Sequence, residues 1–319
     1  MSRLRASPQK PRLPVPLGRS TVPVMRPAHL ALAVLVAAIW GCNFVPIKAG
    51  LADYPPFLLV VLRFGVAAIP VFFTPVPNVP WQKLVLVGLV HFTGQFAFLF
   101  LGMAHGMPPG LASLVMQSQA FFTILFAAFV LRERPSGRQL AGMATALAGL
   151  GLIALGIGGD TSYLGLALTL TAASCWAAGN ILVRGLGKID MLRFVIWESL
   201  VPILPCLVLS AYFEGLGTDY TALLHPSLPG LSSLLYLGLI ATTSGWAIWN
   251  YLLKLYPAGT VAPWSLLAPL FGAVSAALVY GETFSPLRLT GMALILVGLV
   301  ITSLRLPRWR AVRVTPSVN

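Results

Sequence analysis

The sequence has very little charge. Asp, Glu, Lys and Arg together make up 9% of its 319 residues, and only 8 of those residues are acidic. A soluble domain carries roughly 25% charged residues. Too little polar surface is left to coat a water-facing globule, which excludes a soluble enzyme, a coiled coil and a disordered chain. Cysteine is also scarce: Cys42, Cys175 and Cys206 sit inside apolar runs, with no CxxC spacing and no paired histidine. No disulfide framework and no metal site are indicated. A GxxxxGK[ST] loop is missing, so ATP drive within this chain is excluded. No His/Asp, HxxxD or Cys/His constellation lies in an apolar run, which leaves an intramembrane enzyme as the least favoured function and calls for no cofactor.

What the chain has instead is hydrophobicity: 57% apolar residues and a mean hydropathy of +0.86. Ten apolar runs of membrane-spanning length, about 20 residues, cover 28–50, 56–76, 81–104, 108–131, 137–157, 163–186, 191–212, 231–254, 258–280 and 286–305. Proline and glycine mark the breaks, as at Pro55-Pro56, Pro108-Pro109 and Gly158-Gly159. The fold class expected is an all-α polytopic membrane protein with ten transmembrane helices. Residues 1–27 carry six basic residues and repeated prolines without apolar periodicity, and read as a disordered basic tail, with Met25 an alternative start. A second basic tail covers 306–319.

Basic residues choose the orientation. With a cytoplasmic amino terminus, 18 of the 21 Lys and Arg fall on inside flanks, leaving Lys48, Arg63 and Arg288. Asp53, Asp160, Glu214, Asp219 and Glu282 then fall in outside loops. The formal net charge of +13 therefore reads as topology, not as a nucleic-acid footprint. Both termini are expected in the cytoplasm.

The chain also resembles itself. A shift of 149 residues aligns 110–152 with 259–301, matching Gly142 with Gly291, Met143 with Met292 and Gly149 with Gly298; shifts of 135 to 136 match Trp40 with Trp176 and Pro70 with Pro205. Five helices are duplicated, and an odd number forces the second copy to enter the membrane upside down. Two inverted repeats, 28–157 and 158–305, are the architecture of secondary transporters that alternate access about a midplane site.

Some of these residues resemble a known family. Trp40-Gly41-Cys42-Asn43-Phe44 with Lys48, then Leu62-Arg63-Phe64, then Glu133 with Arg134, Gln139 and Gly142, are similar to signatures of the EamA branch of the drug/metabolite transporter superfamily. The stretch from Phe96 to Phe122, with Val195-Ile-Trp and Ala262-Pro, is similar to bacterial cysteine/O-acetylserine exporters. The resemblance covers about 26–312. It implies a bacterial inner-membrane exporter of small amino-acid metabolites, with a central cavity lined by the first, third, fourth, sixth, eighth and ninth helices. Glu198 departs from it, standing where a small polar residue is expected.

Polar residues within the runs are the site candidates. Arg63 and Glu198 occupy equivalent repeat positions; one reading gives Arg63 a substrate carboxylate and Glu198 a coupling proton. The other has Arg63 capping carbonyls or snorkelling and Glu198 packing against Arg184 or Arg193. His91 and Gln95 share a face of the third helix, and Gln117 and Gln119 lie mid-way along the fourth, with Ser113 a turn before. Their second-half counterparts are Ala241, Gly245, Leu266 and Ala268, so the polar lining belongs to one half only. That favours a binding site, although interhelical hydrogen bonding also accounts for buried glutamine. Trp40 with Asn43, Trp176 with Asn180, and Trp246 with Asn250 recur at helical spacing, and Trp264 completes the aromatic set. Indole faces attract cations and amides serve either end of a zwitterion. Trp81, Trp249 and Trp309 read as interfacial belt.

The expected partners are thus a small zwitterionic substrate and membrane lipid, with no nucleic acid, in a monomer or homodimer. A broader amino-acid or drug/metabolite carrier of the same fold is the alternative. Phosphorylated substrates are disfavoured because only Arg63 is a deep cation.

Overall fold

The computed structural model describes residues 25–132, 134–155, 162–256 and 261–303. Every regular element among the described residues is helical. In chain order the helical stretches are α1 (Pro27–Asp53), α2 (Pro56–Phe73), α3 (Trp81–Ala104), α4 (Pro109–Val130), α5 (Gly137–Leu155), α6 (Tyr163–Arg184), α7 (Met191–Leu224), α8 (Leu228–Leu255), α9 (Ala262–Leu267 continuing as Ala268–Tyr280) and α10 (Pro286–Ser303). Seven of them, α1 to α4 and α6 to α8, are long and apolar enough to cross a bilayer; the apolar stretches Ala268–Tyr280 and Pro286–Ile301 are shorter. Large apolar side chains point outward as freely as inward, with Phe72, Phe73, Phe129 and Leu278 more than three-quarters exposed. Helices apolar all round are the mark of a chain whose outer solvent is hydrocarbon. This is a multi-pass membrane protein.

Two helices depart from their expected limits. α7 runs on to Leu224 instead of ending near 212, so Glu214 and Asp219 belong to it and not to a loop. The extension bends at Gly215, whose φ of 88° only glycine adopts without strain. Glu214 then turns inward, accepting the backbone N–H groups of Phe57 at 2.7 Å and Leu58 at 3.1 Å at the amino end of α2. α8 starts at Leu228 because Pro229 stands in its first turn, where a missing N–H costs nothing, and Ser227 caps the N–H of Gly230 at 3.1 Å. Glu282 makes a similar reach, accepting the N–H of Gly110 at the amino end of α4, at 3.1 Å. Glu133, Trp309 and the two basic tails, apart from Met25 to Pro27 at the start of α1, lie outside the described residues.

With lipid outside and apolar side chains inside, burial alone does not bring helices together, and small residues do. α5 and α10 show this plainly. A Cβ added to Gly149 would stand 2.6 Å from the carbonyl oxygen of Gly291, one on Gly291 2.7 Å from that of Gly149, and one on Gly298 2.5 Å from that of Gly142. The register runs in opposite directions along the two helices. Gly142 and Gly149 also align with Gly291 and Gly298 in the sequence repeat, so the contact maps onto itself when the halves are exchanged. α1 approaches α9 in the same way at Gly41, whose Cβ would overlap the Ala268 carbonyl oxygen.

A leucine at Gly149 therefore forces α5 and α10 apart. At about 1–3 kcal/mol for overpacking, Gly149→Leu is expected to lower the thermal midpoint of the detergent-solubilised protein by several degrees. Gly151→Leu, where an added Cβ meets open space, should leave the midpoint in place.

Candidate functional site

The helices enclose a cavity of about 230 Å³ at mid-length. α1, α3, α4, α6, α8 and α9 all contribute to its wall, and α2 adds Arg63. Four of those helices lose regular α geometry beside it. α3 winds as a π turn over Leu89–Gly94, and α8 does the same over Tyr236–Ser244. α4 tightens to a 3₁₀ turn at Met116–Ser118, and α9 does so over Ala262–Leu267. Such irregular turns re-aim side chains and free backbone groups, and they gather at functional sites.

Aromatic side chains donate to backbone carbonyls across the helices here. Trp40 Nε1 donates to the carbonyl of Ala241 at 3.1 Å, and the Tyr236 hydroxyl to that of Ile39 at 2.8 Å. Trp40 lies against two further indoles, with ring centroids 5.6 Å from Trp246 and 5.3 Å from Trp249. Glycine at position 245 makes the space: a Cβ there would stand 2.7 Å from Trp40 Nε1. This gives a physical reason why the second-half counterpart of Gln95 is glycine.

Among the described residues Arg63 is the only charged one in the wall. It is 4% exposed, its guanidinium carbon lies 3.9 Å from the centroid of the Phe96 ring, and Nη2 donates to Thr242 Oγ1 at 3.2 Å. Nε and Nη1 are buried without a hydrogen-bond partner. A guanidinium offers five N–H donors in a fixed fork, and most of this one is uncommitted. Asn43 presents a second unmet group, its buried Oδ1.

Of the residues expected at the site, Trp40, Asn43, Arg63, Gln95, Gln117, Gln119, Trp176 and Trp246 line the cavity, as does Ser113. Four do not. Asn180 stands behind the wall, its Nδ2 donating to Gln119 Oε1 at 3.3 Å. Trp264 packs in a small separate cluster with Ala33, Leu252 and Val261. His91 and Glu198 are buried against each other, with Nδ1 and Oε1 3.0 Å apart. The basic neighbour suggested for Glu198, Arg193, instead faces Asp190 at 3.7 Å. Trp249, read as an interfacial residue, lines the cavity, as do Phe96, Met116 and Ser265. Spacing carried the signal for Trp249, which follows Trp246 by three residues and so shares its face.

A larger hollow, about 440 Å³, lies near Lys48, Met107, Tyr280 and Glu282 and holds none of the expected residues. In a chain with Cys42, Cys175 and Cys206 replaced by alanine, cysteine introduced by Gln117→Cys should react with a small charged thiol reagent about tenfold or more faster than that from Trp264→Cys. The reacting thiolate forms only where water reaches.

The model of the EamA-like transporter family matches residues 28–155 and again 163–304. A protein of Escherichia coli (strain K12) named "Probable amino-acid metabolite efflux pump" is 45% identical over 286 residues, covering 88% of this chain and 95% of its own length. Its namesake in Salmonella typhimurium is likewise 45% identical, over 277 residues, covering 85% and 93%. A "Probable terminal-alkyne amino-acid exporter" of Streptantibioticus cattleyicolor is 30% identical, covering 85% and 92%. One crystal structure, 19% identical, superposes with a TM-score of 0.60 over 87% of this chain and 96% of that one, a likeness of fold alone. Two successive matches to one family model, with relatives matched along nearly their whole length, place the chain: it belongs to the EamA-like transporter family.

Proposed function

We propose that this protein exports small zwitterionic amino-acid metabolites, of the cysteine and O-acetylserine type, across a bacterial inner membrane by alternating access. Ten crossings form two inverted five-helix halves, with both termini cytoplasmic. The observation that carries the substrate class is Arg63. A buried cation lacking a counter-charge costs several kcal/mol, and its free Nε and Nη1 edge the cavity. A carboxylate accepts such a pair of N–H groups side by side. The three indoles from Trp40, Trp246 and Trp249, with the amide of Gln95 and the unmet Oδ1 of Asn43, suit an ammonium at the other end. At about 230 Å³ the cavity is smaller than the roughly 300–1,000 Å³ of a drug-sized site and matches a small molecule.

Support for direction and class comes from the relatives, two of them named as amino-acid metabolite efflux pumps and one as an amino-acid exporter. Support for the inverted halves comes from the antiparallel, self-exchanging glycine contact between α5 and α10. It also comes from the paired family matches, one to each half. A broader carrier of the same fold is the second reading, and the apolar wall made by Phe96, Leu99, Met116, Ala241 and Ala268 favours it. Such a wall fixes no side-chain chemistry.

Uptake of labelled cysteine, O-acetylserine and a panel of amino acids into inverted membrane vesicles separates the two. Selective uptake supports the narrower substrate, uniform uptake the broader, and no uptake of any amino acid overturns both. Asn43→Ala and Gln95→Ala are each expected to lower flux of the best substrate. Arg63→Met should do two things at once. Removing the unpaired cation raises the thermal midpoint of the empty protein. It also removes charge-assisted hydrogen bonds worth about 1.5–3 kcal/mol, so substrate binds roughly 10- to 100-fold more weakly. A variant that binds substrate as tightly as the parent would remove Arg63 from the site.

A further inference from the structure

His91 and Glu198 take no part in lining the cavity, yet they form an acid–base pair in the interior. Glu198 is fully buried, His91 is 3% exposed, and Oε2 of Glu198 has no hydrogen-bond partner. The imidazole stacks on Phe92 at 4.9 Å and meets the edge of Trp176, a cavity residue, at 6.1 Å. Gly179 lets it lie against α6, where a Cβ would come 2.5 Å from that of His91. Ionisable groups held inside a membrane protein mark proton and ion pathways.

We propose that the His91–Glu198 pair is a proton-binding site that couples transport to the pH gradient, one proton entering as one substrate leaves. The proposal rests on the export reading above for its coupling, and on geometry alone for proton binding. With one proton between them the pair is net neutral; without it, a single negative charge is enclosed among apolar groups. Exchange of that proton requires water to reach the pair, and the two elements that carry it are built to shift. His91 lies within the π turn of α3, and α7 leaves helical geometry immediately after Glu198, over 199–202. Both kinds of interruption are places where helices bend.

Among the described residues, the ion pair recorded for Glu198 is the one with His91. On α6, Cys175 packs its Sγ toward Gly94, and Arg184 stands in the last turn of the helix. From α2, Arg63 is screened by the rings of Phe64, Phe92 and Phe96, whose centroids lie 5.0 to 6.0 Å apart. On α7 itself, Asp190 and Arg193 lie at the exposed amino end, where Lys254 of α8 approaches Asp190 at 4.0 Å. Tyr251 of α8 turns to His29, and Lys83 of α3 is exposed about two turns from His91. The row of rings also ties the two sites together: Arg63 rests on Phe96, His91 on Phe92, and both phenylalanines are on α3. A movement of α3 that admits water to His91 also moves the wall of the cavity.

The test uses the purified full chain in vesicles of phosphatidylethanolamine and phosphatidylglycerol, with labelled O-acetylserine and cysteine as probes. Exchange at equal pH is read first, then accumulation on the acidic side together with proton movement reported by a trapped dye. The wild type is expected to accumulate the probe on the acidic side. Glu198→Gln and His91→Gln should keep equal-pH exchange and lose accumulation by roughly tenfold or more, as for removal of an obligatory relay. Glu198→Asp should restore part of it. Accumulation retained by Glu198→Gln, or wild-type exchange without any proton movement, overturns the proposal. Should neither probe be exchanged, it is the export reading that fails, and proton binding is still read by infrared titration of the solubilised protein. A carboxyl band that responds to pH and vanishes in Glu198→Gln supports the pair; its absence overturns it.

Discussion

Arg63 places a positive charge deep in an apolar protein with no carboxylate beside it among the described residues. Desolvating a guanidinium is costly, and what the fold returns is partial: a ring face from Phe96, worth about 2 kcal/mol or more when desolvated, and one neutral hydroxyl from Thr242. That hydroxyl is itself committed, donating to the carbonyl of Leu237 within the π turn of α8 at 2.9 Å. The arrangement leaves Nε and Nη1 buried without a partner. Much of the site geometry follows from this condition, since α2 must bring Arg63 to the cavity edge and α3 and α8 must receive it there.

Two opposite devices shape the surrounding bundle. Where helices need to touch, glycines remove side chains, as between α5 and α10 and at Gly41 against α9. Where a cavity is needed, helices lose α geometry, and polar side chains of the wall have no water to turn to. Trp40, Tyr236 and Tyr280 meet this need by reaching carbonyls on neighbouring helices, those of Ala241, Ile39 and Val45. Aromatic residues with one polar atom do this well because the rest of the ring remains at home in an apolar interior. Proline plays the quieter part: Pro46, Pro70, Pro229 and Pro269 stand in the first turn of a helical segment, where no donor is missed.

The halves share a scaffold and divide the chemistry. Gln95, Gln117, Gln119 and Ser113 come from the first half, while Ala241, Gly245 and Ala268 stand at the matching positions of the second. The indole of Trp40 needs the room that glycine leaves at 245. Glu198 restores an ionisable group to the second half, at the repeat position of Arg63, and it is answered across the halves by His91.

Membrane class, helix order and most of the cavity wall were legible in the sequence, because they depend on local run length and on periodicity along single helices. Asn43, Gln95 and Gln117 stood out as polar residues in apolar runs, and eight of the twelve expected site residues do line the cavity. What spacing along one helix does not specify is rotation and depth relative to the others. Thus Trp249 lines the cavity and Trp264 does not, Asn180 fell one layer behind Gln119, and Glu214 and Glu282 turned out to cap helices distant in sequence. Glu198 had basic neighbours in sequence and a histidine partner 107 residues away in space. Composition and repeat determined that this chain folds in lipid, because solvation acts on each run by itself. Only tertiary packing decided which buried polar groups meet, because a hydrogen bond reaches about 3 Å and two helices must be set side by side before either partner exists.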